Sequence, residues 1–370
     1  MTTRALLPPR GRATDRARTL LRRLAEHEPA DVPVVSASLD LRPQADPGDP
    51  GSREARVLLR DRMRDEMDAL PAHHPAHESL AADADRLAQV VEEHAAPNEP
   101  EGAPAPRGLM AWASNGADLW ETYLTHAVLQ NEVAVAPRPV LRTLARQAAF
   151  LPAVVAIFDT NTLRLLAARP GRLVEVPGLD DPPDDYTQTG EGGWSQARYE
   201  RHVDEHRDAF ARRMAERIGT LVEREGDARI VLAGDEVALP TLQAVLPSPL
   251  AERVAATAHI ELRATLEEVE EELFPLLAAL AEERTADAAD RLVGAARGGG
   301  MGVGGLDDTR RMLELGAALE VLLDDDRLGT DVAEEMVRLA ALTDAPVTFV
   351  AGHKGLASLG GIGALLRFRP

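Results

Sequence analysis

Tyr199, Val203, His206, Phe210, Met214, Ile218 and Leu221 recur at steps of four and three, with arginines and carboxylates filling the positions between them. That spacing winds a single stripe along one side of an α-helix and fits no strand. Immediately before it stands Glu191-Gly192-Gly193-Trp194-Ser195-Gln196, preceded by the polar run DDPPDDYTQTG. Two adjacent glycines reach backbone angles closed to other residues, so this segment is expected to be an exposed, mobile loop tip. The helix behind it is set to end near Met214, although the stripe runs on to Leu221. The chain therefore presents a carboxamide, Gln196, on a slender tip with a rigid support.

The rest of the chain divides around this stretch. Thr14 or Asp15 caps a short helix through Glu26, with Leu20, Leu21 and Leu24 inward. VPVVSASLDL (32–41) has β composition, and residues 53–70 and 78–95 have helical spacing. After the Pro-rich HAAPNEPEGAPAPRG, the runs 108–114, 119–125 and 131–137 are expected to be strands. RPVLRTLARQAAF then forms a connecting helix. AVVAIFD (153–159), TLRLLAA and GRLVEV give hairpin-like strands ahead of the glycines. Beyond the long helix, ARIVLAG, EVALPTLQAVL and VAATAHIEL are expected to be strand, helix and strand, a mixed sheet on which the long helix packs. Thr265 opens one long helix or two, with Pro275 marking a kink or break. The glycines from Gly298 to Gly305 form a flexible connection, since no Gly-Lys-Ser/Thr follows to make a phosphate loop. Alternating helices and strands then follow to residue 367. The fold class is mixed α+β and α/β in three domains: an N-terminal α+β domain (1–140), a middle domain with a mixed sheet and the long helix (141–263), and a small αβα C-terminal domain (264–370).

Charge and composition limit the function. The formal net charge of -20 disfavours a simple RNA-binding module, yet Trp194 to Arg224 carries seven arginines against six acids. The absence of cysteine removes disulfides, zinc knuckles and thiol catalysis together. No apolar run reaches membrane-spanning length and the N-terminus lacks a secretory apolar core, so a soluble cytoplasmic protein without membrane contact is the default expectation. His73, His74 and His77, and separately His202 and His206, have metal-binding chemistry but no obvious further ligand, so no metal or other cofactor is expected. His73 to His77 sits in a Pro-punctuated loop and is expected to be solvated, and His206 lies on the apolar stripe.

Gly-Gly, then Gln, an arginine and an aromatic on the loop leading into a long helix resembles the peptidyl-transferase-centre loop of archaeal and eukaryotic class-1 release factors. It is closer to their bacterial relatives and to ribosome quality-control peptidyl-tRNA hydrolases. GVGGLDDTRRMLELGAALEVLL (302–323) and GLASLGGIGALLRF (355–368) are similar to the ending of that superfamily's C-terminal domain. The resemblance covers roughly residues 150–370 well and the earlier part loosely.

The resemblance implies that Gln196 places water against the peptidyl-tRNA ester while Gly192 and Gly193 shape the tip. Placement and fixed hydrogen-bond donors supply much of such a rate enhancement without a titrating base. Trp194, Ser195, Arg198 and Arg201 would contact RNA near the tip. For the arginines, pairing with Glu200, Asp204, Glu205 and Asp208 is an equally open reading. Trp194 and Ser195 separate the glycines from Gln196, giving Gly-Gly-Trp-Ser-Gln where release factors have Gly-Gly-Gln. The bland alternative is a surface turn anchored to a partner by Trp194. The chain has no N-terminal Asn-Ile-Lys-Ser or Tyr-x-Cys motif, and its single lysine is Lys354, so codon-independent action is expected. The expected partners are the large ribosomal subunit at its A site and tRNA, with the chain acting as a monomer and delivery by a translational GTPase left open. The alternative is a non-catalytic hibernation factor in the same site, and a third class is an unrelated interaction protein that keeps the fold.

Overall fold

The computed structural model describes residues 13–42, 53–71, 73–95, 105–159, 162–176, 196–226, 228–234 and 238–370. They fall into two compact units, one made of residues 1–150 with 284–370 and the other of residues 151–283.

In the N-terminal part, Leu20, Leu21 and Leu24 lie on the buried side of helix α1 (Ala13–Ala25), as their spacing requires. Strand β1 (Val34–Asp40), helices α2 (Arg53–Ala69) and α3 (Ala76–Ala95), and strands β2 (Gly108–Ser114), β3 (Leu119–Thr125) and β4 (Glu132–Ala136) follow, and helix α4 (Arg142–Ala148) ends this part. The strands form one antiparallel sheet in the order β3-β2-β1-β4. β2 is buried at every position because both sheet faces are covered. Leu109, Ala111 and Ala113 face the core that Leu59 and Met63 of α2 and Leu80 and Leu87 of α3 complete, whereas Met110 and Trp112 face Leu20, Leu24 and Leu144. The Asp83 carboxylate closes the turn after β2 by accepting the Asn115 N–H at 3.0 Å, and Ser79 Oγ accepts the Gly116 N–H at 3.0 Å. Burial pushes the Asp83 carboxyl above its ordinary range.

The histidine loop corrects the sequence expectation. His73 is exposed, but His74 Nδ1 accepts the Ala76 N–H at 3.2 Å, and His77, already in α3, buries its Nε2 without a hydrogen-bond partner among the described residues.

The second unit opens with β5 (Ala153–Phe158), β6 (Leu163–Arg169) and β7 (Arg172–Glu175), an antiparallel meander. Helix α5 (Gln196–Glu225) leads to β8 (Arg229–Gly234), short helices α6 (Ala238–Val245) and α7 (Ser248–Ala251), and β9 (Val254–Ala258). β8 lies parallel to β5 and β9 parallel to β8, so the sheet is mixed, in the order β7-β6-β5-β8-β9. Helix α8 (Leu266–Arg297) then continues through Pro275 as one element rather than breaking there.

In the C-terminal part, β10 (Gly302–Gly304) precedes α9 (Leu306–Glu314), β11 (Ala318–Leu323), α10 (Asp325–Leu328), α11 (Thr330–Leu342), β12 (Val347–Phe349), α12 (Lys354–Ala357) and β13 (Ile362–Leu366). The glycine run expected to be only a flexible connection thus contributes a strand. β10 pairs antiparallel with β13, and a Cβ at Gly363 would lie 2.6 Å from the Val303 carbonyl oxygen. The absent side chains let three strands approach where a loop was expected.

One hydrophobic core joins both ends of this unit. Leu24, Trp112, Tyr123, Leu141 and Leu144 from the N-terminal part pack in the same cluster as Val321, Met336, Val337, Ala340 and Leu366. Among the described residues no helix is long and apolar enough to cross a membrane.

Candidate functional site

Helix α5 begins at Gln196 itself and runs to Glu225, following the apolar stripe past Met214. The candidate amide therefore belongs to the first helical residue rather than to a loop residue ahead of the helix. Gly192, Gly193, Trp194 and Ser195 lie outside the described residues, as do the side chains of Gln196, Arg198 and Arg201. The side chains of Tyr199, His202, Val203 and His206 lie outside them too.

The described half of the helix explains its hold on the sheet. Phe210, Met214, Ile218 and Leu221 are buried against Val154, Ala156, Leu165 and Leu232 of the strands and Leu242 of α6. At about 1.5 Å of rise per residue, the turns before Phe210 extend the helix by roughly 20 Å toward Gln196. At the opposite end, Arg169 at the close of β6 forks onto the buried Glu225, its Nη2 donating to Oε1 at 2.7 Å. Gly226 follows with a φ of 76° and turns the chain toward β8. This arginine–carboxylate foot was not singled out from the sequence. Its partners are 56 residues apart, and only the position of Glu225 just beyond the apolar stripe hinted at it.

The beginning of an α-helix leaves its first backbone N–H groups without intrahelical acceptors and carries partial positive charge. On α5 these are the N–H groups of Gln196 and the residues directly after it. The chemistry available there is hydrogen-bond donation toward an oxygen that gains negative charge, with no titrating side chain required. Among the described residues no group of three histidines or carboxylates is placed to hold a metal ion.

The strands β5 to β9, helix α5 and the start of α8 coincide with a recognised family segment. Residues 139–275 match the model of Bacterial archaeo-eukaryotic release factor family 10. No curated protein matches the chain. Among solved structures, an archaeal translation termination factor, aRF1, is 18% identical over 96% of this chain and 98% of its own, with a TM-score of 0.27. An archaeal Pelota, from a model of ribosome-bound Pelota and ABCE1, is 15% identical over 98% and 96%, with a TM-score of 0.43. Dom34 of S. cerevisiae, described as a translation termination-like factor, is 12% identical over 71% and 81%, with a TM-score of 0.43. The resemblance to the bacterial archaeo-eukaryotic release factor superfamily, read first from Gly192, Gly193 and Gln196, is borne out by the family model over residues 139–275.

Proposed function

We propose that this chain is a release-factor-like ribosome rescue or quality-control factor that hydrolyses the peptidyl-tRNA ester without reading a codon. The observation that carries this reading is the position of Gln196 as the first residue of α5, inside the segment that matches the release factor family. In the proposed reaction the Gln196 carboxamide orders the attacking water, and the N–H groups at the helix start stabilise charge developing on the carbonyl or the departing ribose oxygen. Gly192 and Gly193 supply the narrow approach, while Trp194, Ser195, Arg198 and Arg201 meet RNA around it. The chain acts as a monomer at the A site of the large subunit, in contact with tRNA.

A second reading is favoured by the Gly-Gly-Trp-Ser-Gln spacing, which moves the amide two residues from the release-factor pattern. On that reading the chain occupies the same site on idle ribosomes and protects them without cleavage.

Purified protein added to large subunits charged with peptidyl-tRNA separates the two. Release of peptide that Gln196→Ala abolishes, with co-sedimentation retained, is the expected result. Co-sedimentation without release by the wild-type chain would refute hydrolysis and leave the protective role.

A further inference from the structure

The chain passes between its two compact units at residues 150–151 and again at 283–284. Its two ends build one unit and the stretch between them builds the other. Each of the three sheets is complete within a single unit. The buried residues of the core under α5 run from Val154 to Leu246, whereas those of the core that Leu24 and Leu144 share with Val337 and Leu366 come from residues 17–148 and 312–366. Helix α11 packs against both α1 and α4. Polar contacts follow the same seam. Arg22 Nη1 donates to Asp344 Oδ2 at 2.6 Å, Arg146 Nη2 donates to Asp325 Oδ1 at 2.9 Å, and the Arg146 guanidinium lies 4.3 Å from the centre of the Phe349 ring.

The second crossing falls inside α8. Val269 and Leu273, which belong to the second unit, are buried, and in the first unit Ala288, Ala289 and Leu292 pack with Leu322, Val350 and Leu356. Between Leu273 and Ala288 no residue of α8 is buried, and Glu282, Glu283 and Arg284 at the crossing are exposed. A helix that buries nothing over such a stretch transmits little stability, since isolated helices shorter than about 12–15 residues are marginal in water.

We infer that residues 151–283 are an insertion in a body that the two ends of the chain close between them, so that the protein opens in two independent cooperative steps and not domain by domain along the sequence. The N-terminal and C-terminal parts open together, because each supplies one side of a shared core. The second unit, which carries α5, has a core of its own and opens alone. The unit that bears Gln196 can therefore loosen and reclose while the rest of the protein stays folded.

The test is amide hydrogen exchange of the full chain, resolved by peptide mass spectrometry, with core-trimming variants placed on either side of the seam. Val337→Ala on α11 should speed exchange in β1 and β2 as much as in β11 and β13, by about tenfold, and leave β5 and β8 unchanged. Leu144→Ala on α4 trims the same core from the other side and should speed β11 and β13 in turn, again by about tenfold or more. Ile218→Val on α5 should speed β5 and β8 by about fivefold and leave the other two sheets as they were. Two results would overturn the inference. If Val337→Ala acts on β11 and β13 but not on β1 and β2, the two ends of the chain open separately. If any of the three variants speeds all three sheets alike, the protein is one cooperative body and the central stretch is no insertion.

Discussion

Glu334 of α11 accepts the backbone N–H of Leu141 at 2.7 Å, tying the start of α4 to the C-terminal part across 193 residues of chain. The same carboxylate accepts the Arg142 N–H at 3.2 Å and the Arg142 Nε at 3.0 Å, while Arg146 donates to Asp325 at 2.7 Å. No residue at the start of α4 caps that helix by its own side chain, so a distant glutamate does it. Glu334→Ala leaves two backbone donors and a mostly buried guanidinium short of their acceptor, and it should destabilise the first unit by about 2–4 kcal/mol. Denaturant unfolding of the full chain measures this, and a loss below about 1 kcal/mol would contradict the cap.

The pH dependence follows from the same carboxyl. Burial pushes Glu334 above its ordinary range, against the opposing pull of the Leu141 and Arg142 N–H groups and the Arg142 side chain. A raised folded pKa means that the folded chain holds this proton more tightly than the unfolded chain. The associated stability is fully present below the unfolded pKa of about 4.3 and is lost as pH rises through the folded value. The stability of the wild type relative to Glu334→Gln should therefore fall as pH rises from the unfolded pKa through the raised folded one. Asp83→Asn should show the same sign, since burial is also the leading cause at Asp83.

Much of this architecture can be read in the sequence, because local periodicity carries it. The stripe through Phe210, Met214, Ile218 and Leu221 is buried as its spacing requires, and the strands at 153–158 and 229–234 fall within the runs expected for them. The misses are non-local. Gly302 to Gly304 has no side-chain pattern of its own and becomes a strand only because β13 lies beside it. Pro275 stays inside α8 although proline removes a backbone donor and usually bends a helix. At the candidate site, the helix start at Gln196 was blurred by Trp194 and Ser195, whose composition suits a loop or a helix entry equally well. The Arg169–Glu225 foot depends on a contact that no local spacing encodes.

That foot gives a third prediction. Glu225 is almost fully buried beneath Arg169, so Glu225→Ala strands a charge and should cost the second unit about 3–5 kcal/mol. Replacing both partners, Arg169→Met with Glu225→Leu, should recover most of the loss, because an apolar pair of similar volume avoids the desolvation that the ion pair incurs. Chemical denaturation of the two variants side by side distinguishes a stranded charge from simple loss of packing, which the double variant would not restore.

Two glycine substitutions should move stability in opposite directions. At Gly363 a methyl group would lie 2.6 Å from the Val303 carbonyl and 2.9 Å from Leu292 Cδ2, so Gly363→Ala should cost about 1–3 kcal/mol. Gly294 lies within α8 with nothing within 4 Å of an added Cβ. Gly294→Ala should stabilise the helix by about 0.5–1 kcal/mol. Thermal melting read by circular dichroism checks both.

Because Met110, Trp112 and Tyr123 share their core with Val337 and Leu366, the order of synthesis constrains how this protein comes into being. A nascent chain that has completed residues 1–150 still lacks the partners for one side of its first sheet, and a whole further unit must be translated before they emerge. An early part of the polypeptide thus waits for a much later one, and a truncation that removes β11, α11 and β13 should leave an N-terminal sheet that aggregates rather than a shorter working protein.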